Sequence, residues 1–217
     1  MKKIIQYILP VACILLFAPQ IYSQEYNFSV KKSMSASKKI ELTFEPRVYM
    51  YMWPHISISK MRLYVEGEYE IFSDIDYELG FRFSLRNDTD TELFVYEDDS
   101  RIRLYNSISF EIYDSKIIEL SYRFRHQITK DSDEFEYEER NKIKFEHTDY
   151  EDVKPYISIE SYTTNFFRTF EKAKISLGVE HDFLQKFELE EYMNISVYVI
   201  NELPRIYYEL GICLKLD

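Results

Sequence analysis

The sequence predicts an all-β fold: a single antiparallel, up-and-down transmembrane β-barrel of about ten strands (range about 8–12). Three observations predict it. Apolar and polar residues alternate with a period of two over segments of about ten residues or more, the mark of a strand with two unlike faces. Tyr (20) and Phe (16) are abundant while Gly (4) and Pro (6) are scarce, so strand formers dominate and breaks are few. Most of the segments also exceed the roughly five or six residues of an ordinary strand and reach the roughly 9–11 that a tilted membrane-crossing strand needs.

The N-terminus comes first. Lys2 and Lys3 open the chain, an apolar run extends from Ile4 to Phe17, and Ile21-Tyr22-Ser23 ends in a small residue. This is the pattern of a secretory signal peptide over 1–23, cleaved after Ser23, with 24–217 forming the barrel. The apolar run falls short of the roughly 20 residues of a spanning helix. A lipoprotein start at Cys13 is disfavoured by Pro10 and by apolar Ile14 to Phe17. Cleavage removes two lysines and no acid, taking the net charge from −11 to about −13. Such a chain repels nucleic acid. Only Cys213 survives cleavage, so no internal disulfide is expected.

Strands are expected over 38–52, 57–72, 76–87, 101–113, 116–128, 136–147, 155–162, 170–182, 187–200 and 204–216. In the last, Ile206, Tyr208, Leu210, Ile212, Leu214 and Leu216 form one face, and Tyr207, Glu209, Gly211, Cys213 and Lys215 the other. Leu120, Tyr122 and Phe124 likewise alternate with Ser121, Arg123, Arg125 and Gln127. Pro46 interrupts the first expected strand, and charge is dense in the sixth.

Bacterial outer-membrane barrels have an even strand number, short periplasmic turns and longer outer loops. With both chain ends in the periplasm, Ser73–Ile75, Asp114-Ser115, Thr148–Lys154 and Phe183–Lys186 are periplasmic. Pro54–Ile56, Asp88–Ser100, Thr129–Phe135, Thr163–Thr169 and Asn201–Leu203 are then outer connections, the longest among them. The polar register mixes Arg82, Arg86, Arg123, Arg125, Lys172 and Lys174 with Glu78, Glu160, Glu180 and Glu209. A narrow lumen requires such charges to be paired or hydrated, so a network of Arg–Glu pairs and Tyr hydroxyls is expected inside. Trp53 and Tyr113 suit interfacial girdles at strand ends.

Several segments resemble a known family. They are Leu120-Ser121-Tyr122-Arg123-Phe124-Arg125-His126-Gln127, Glu139-Arg140-Asn141-Lys142, Lys154-Pro155-Tyr156-Ile157-Ser158-Ile159-Glu160, Ile175-Ser176-Leu177-Gly178-Val179 and the final strand bearing Gly211. Together they are similar to the domain of unknown function 2490, a family of small predicted outer-membrane barrels. The resemblance implies a barrel in the cell outer membrane and no activity, and it carries over no functional residue. The ending Glu209-Leu210-Gly211-Ile212-Cys213-Leu214-Lys215-Leu216 resembles the signal read by the outer-membrane barrel assembly machinery. It departs from the common form by ending in Asp217 rather than an aromatic residue.

No catalytic, cofactor or metal motif stands out. His55, His126, His147 and His181 are read as strand-end residues in water. Asp88, Asp90, Glu97, Asp98 and Asp99, and then Asp131, Asp133 and Glu134, form acidic loops of the kind that bind Ca²⁺, but without the twelve-residue calcium-loop pattern. The expectation is therefore an outer-membrane barrel without cofactor, structural, surface-binding or passing small solutes, with membrane lipid and the assembly machinery as partners. The alternatives are a lipid-modifying outer-membrane hydrolase and a soluble periplasmic lipocalin-like barrel. The last requires an apolar interior and a polar exterior.

Overall fold

The computed structural model describes residues 24–51, 57–88, 97–131, 134–149, 153–164, 169–184, 187–200 and 203–216. The expected signal peptide, His55 and Trp53 lie outside them. Eleven strands form one closed barrel: β1 (Gln24–Ser37), β2 (Ile40–Tyr51), β3 (Ser57–Phe72), β4 (Ile75–Asp88), β5 (Glu97–Asp114), β6 (Ile118–Asp131), β7 (Glu134–His147), β8 (Val153–Thr164), β9 (Thr169–Leu184), β10 (Phe187–Ile200) and β11 (Leu203–Leu216). Each strand pairs antiparallel with the next in sequence, and β1 closes the wall against β11.

The ten expected strands are β2 to β11. The strand missed is β1, and it changes the closure. In a meander with an odd number of strands, the first and last run in the same direction. The β1–β11 seam is accordingly parallel, from Gln24↔Tyr208 to Lys32↔Leu216, rather than antiparallel as expected. The expectation of an even strand number with both chain ends on one rim is corrected by the same observation. β1 begins toward the rim that carries the β10–β11 connection, and β11 ends at the opposite rim, beside the β1–β2 turn. The other connections fall on the two rims as expected. Strand extension shortens the Asp88–Ser100 loop to 89–96.

Pairing explains how prolines enter the wall. Pro46 pairs with Leu63 in β3, while the β1–β2 ladder passes from Ser29↔Arg47 to Lys32↔Phe44 without it. Pro155 pairs with Val179 in β9, and the β7–β8 ladder stops at Glu146↔Tyr156. A residue without an N–H is tolerated where a ladder lapses.

The two faces of the wall differ sharply. Outward positions carry Phe28, Leu42, Phe44, Leu63, Leu79, Leu104, Phe145 and Leu177, all exposed. Midway up the wall Ile143, Ile159, Ile175 and Ile195 stand in one lateral row across β7 to β10. Inward positions carry Asn27, Thr43, Glu45, Tyr49, Tyr64, Glu78, Arg82, Tyr105, Gln127, Ser158, Glu160 and Tyr162, all buried.

Three of the four glycines serve this packing. Gly80, Gly178 and Gly211 lie beneath the rings of Tyr105, Tyr156 and Tyr192, each its direct cross-strand neighbour. A Cβ at Gly178 would stand 2.5 Å from Tyr156 Cζ. Each covering hydroxyl is then held by a polar partner. Tyr105 donates to Glu66, Tyr156 donates to Glu190 at 2.5 Å, and Tyr192 accepts from Asn27 at 2.6 Å. Gly211, on the lumen face of β11, leaves its space to Tyr192.

Candidate functional site: the lumen

The barrel encloses a cavity of about 1680 Å³. Period-two alternation in every strand delivers its polar register to this cavity, so the lining is charged and aromatic rather than apolar. Among the described residues, fifteen Lys and Arg side chains and nine glutamates line it, with nine tyrosines between them. A chain of net charge −11 thus surrounds a lumen with an excess of cations.

The expected Arg–Glu network is present over much of the wall. Buried Glu78 accepts from Arg125 Nη2 at 2.6 Å, with Arg123 Nη1 at 3.5 Å. Glu160 takes Lys174 at 2.7 Å and the Tyr162 hydroxyl at 2.6 Å. Arg140 Nε meets Glu138 at 2.6 Å. Lys215 reaches Glu180 at 2.9 Å and Glu188 at 2.5 Å, and Lys60 reaches Glu25 at 2.6 Å. Tyrosine rings sit under several of these cations: Arg125 lies 4.1 Å from the Tyr105 centroid and Lys172 3.8 Å from that of Tyr162. Such contacts help satisfy charges that burial would otherwise penalise.

The seam has its own cluster. Asn27, 1% exposed, donates to the Tyr192 hydroxyl, and Asn194 donates to Glu209 Oε1 at 3.0 Å, which also lies 3.5 Å from Asn27 Nδ2. Side chains of β1, β10 and β11 are thereby tied on the lumen side of the parallel junction.

Arg123 and Arg125 both face inward, as their shared register predicts. They do not weigh equally. The Arg123 side chain is 39% exposed, against 14% for Arg125. Removing Arg123 leaves Glu78 its closer partner, so Arg123→Ala is expected to cost under about 1 kcal/mol. Arg125→Ala strands a buried carboxylate and is expected to cost about 3 kcal/mol. Urea unfolding of the refolded barrel checks the order, and equal effects would contradict it.

The histidines do not assemble a site. His126, His147 and His181 lie on β6, β7 and β9, in the outward register. His126 Nδ1 stands 3.6 Å from Glu139, and His181 Nε2 stands 3.8 Å from Glu191. Glu139 is one of several polar residues on this mainly apolar face, outward-pointing yet only 1% exposed. Of the acidic-loop residues, Asp90 and Asp133 lie outside the described residues. Asp88, Glu97, Asp98, Asp99, Asp131 and Glu134 fall at strand ends. No group of three or more metal-ligating residues occurs among the described residues. Cys213 is buried, its Sγ 3.8 Å from Glu45.

No protein-family model matches the chain, and no curated protein matches it.

Proposed function

We propose that this chain is an integral barrel of a Gram-negative outer membrane, exported by its signal peptide and inserted by the barrel assembly machinery, whose polar lumen admits small solutes. The resemblance to the domain of unknown function 2490 family points the same way. The observation that carries the reading is the distribution of side chains: an apolar outer wall around a charged interior. Closed β-barrels suit both water and lipid as a fold. A soluble ligand-binding barrel, however, places its apolar face inward, where its ligand lies. An outer wall of exposed Leu, Ile and Phe is costly in water and stable against acyl chains. Strands of 12–18 residues are long enough to cross.

Ile159 gives the sharpest test. It is 54% exposed, midway along β8, between Ile143 and Ile175. Against lipid, Ile159→Arg costs roughly 2–4 kcal/mol. Against water, an exposed substitution of this kind stays within about 0.5 kcal/mol. Ile212 is a poorer position, because it stands opposite Glu191, which would accept an introduced Arg. The expected result is full-length protein released from membranes only by detergent, with Ile159→Arg strongly depleted there. Protein that is soluble without detergent, and indifferent to Ile159→Arg, would sink the membrane reading.

A further inference from the structure

The lumen's cations are not all matched. Arg82 on β4 stands directly opposite Arg103 on β5, and Arg62 on β3 directly opposite Arg47 on β2. Like charges placed face to face across a ladder repel. Arg47 has Glu45 at 2.8 Å. Arg62, Arg82 and Arg103 form no ion pair with another described side chain. Two of them have phenolic contacts: Arg62 donates to the Tyr49 hydroxyl at 2.9 Å and to Tyr64 at 3.4 Å, and Arg82 donates to Tyr64 at 3.5 Å. Tyr49 and Tyr64 are themselves 1% and 6% exposed, so these rings hold the guanidiniums in place. The Nε atoms of all three arginines are shielded from solvent and lack a hydrogen-bond partner.

The nearby carboxylates are committed elsewhere. Glu45 serves Arg47, Glu138 serves Arg140 and accepts from Gln127, and Glu66 accepts from Tyr105. Lys142 on β7 and Lys172 on β9 also form no ion pair with a described side chain, Lys172 donating to the Tyr198 hydroxyl at 3.3 Å. Arg62, Arg82 and Arg103 differ in being guanidiniums on three adjacent strands, with donors left over. Guanidinium forks match the oxygens of phosphate and sulfate in pairs, and low-dielectric walls strengthen the attraction.

We propose that the lumen binds a small dissolved oxyanion of the phosphate or sulfate class between Arg62, Arg82 and Arg103. The wall separates this site from the outer face, so its ligand arrives through the lumen as a solute. The inference rests on the proposed function for the route by which that solute arrives; the site's chemistry needs only a folded barrel.

The test uses the full chain in zwitterionic detergent, with sodium phosphate titrated against sodium chloride at constant ionic strength. Phosphate at about 100-fold its dissociation constant is expected to raise the thermal unfolding midpoint by roughly 5–10 °C, with saturation. Arg103→Gln is expected to lose that rise while unfolding no lower than the parent in chloride, since it removes a repulsion. Arg123→Gln, which alters a lumen cation held near Glu78, is expected to keep the rise. No phosphate effect beyond chloride overturns the site, as does equal loss in both variants, which would mean general screening. A protein soluble without detergent that still shows the saturable rise would overturn the membrane reading and leave the site standing.

Discussion

Removing Leu214 to Asp217 is expected to abolish the closed barrel. These residues carry the last rungs of both ladders of β11: Leu214, Lys215 and Leu216 pair with Val30, Lys31 and Lys32 on one side, and with Leu189, Glu188 and Phe187 on the other. Without them the parallel seam loses a third of its nine pairs. In lipid, each backbone group left without a partner costs several kcal/mol, so a partly opened seam is not a tolerable intermediate. The truncation also deletes Lys215, which holds Glu180 and Glu188 on adjacent strands. Lys215→Ala separates the two effects. It keeps the backbone ladder and is expected to insert, with an unfolding free energy lowered by a few kcal/mol through lost pairing. The readout is detergent-extracted membrane run unboiled and boiled, where the parent shifts and the truncation yields no shifting band. Normal insertion of the truncated chain would refute the role given to the seam.

The second large effect is expected at Gly80. A Cβ there would overlap Cζ, Cε2 and the hydroxyl of Tyr105. A flexible ring tip often swings aside at little cost, and the question is whether this one can. Tyr105 is 4% exposed, its hydroxyl is bonded to Glu66, and the Arg125 guanidinium lies over its ring. Moving it breaks a hydrogen bond to a charged acceptor, worth about 1.5–3 kcal/mol, in addition to about 1–3 kcal/mol of overpacking. Gly80→Ala is therefore expected to destabilise by about 3–5 kcal/mol. In a Tyr105→Ala background the same change meets no ring and is expected to cost under about 1 kcal/mol. Double-mutant unfolding measurements read the coupling. Additive effects would show that the ring moves freely and that Gly80 is not there to receive it.

Legibility in the sequence followed the strength of local alternation. β11 was readable because six apolar residues alternate without a break from Ile206 to Leu216. β1 was missed although Tyr26, Phe28 and Val30 alternate with Glu25, Asn27 and Ser29. The pattern fails at Lys32, an outward position opposite Phe44, and dissolves into Ser33 to Ser37. Lys32 is tolerated near the β1–β2 turn because a long side chain can carry its ammonium to the rim. Tyr26-x-Phe28-x-Val30 was the signal that could have found the strand. Inward pairing of Arg125 with Glu78 was foreseeable as a type, since both belong to polar registers. Which cation would win the carboxylate was not, because 47 residues separate them.

Local alternation was enough for the fold class, ten of the strands, the faces of the regularly alternating segments and the sorting of connections to two rims. All of these follow from a local period of two, which fixes side-chain direction whatever the neighbours. Tertiary structure alone decided the rest. Closure by β1 made the strand number odd, and that parity imposed a parallel seam and put the start of β1 and the end of β11 toward opposite rims. Register then decided which charges face one another. The alternation that sent Arg82 and Arg103 inward carries no information about sitting side by side, and it is that adjacency, with Glu45, Glu66 and Glu138 already engaged, that leaves neighbouring guanidiniums without a carboxylate.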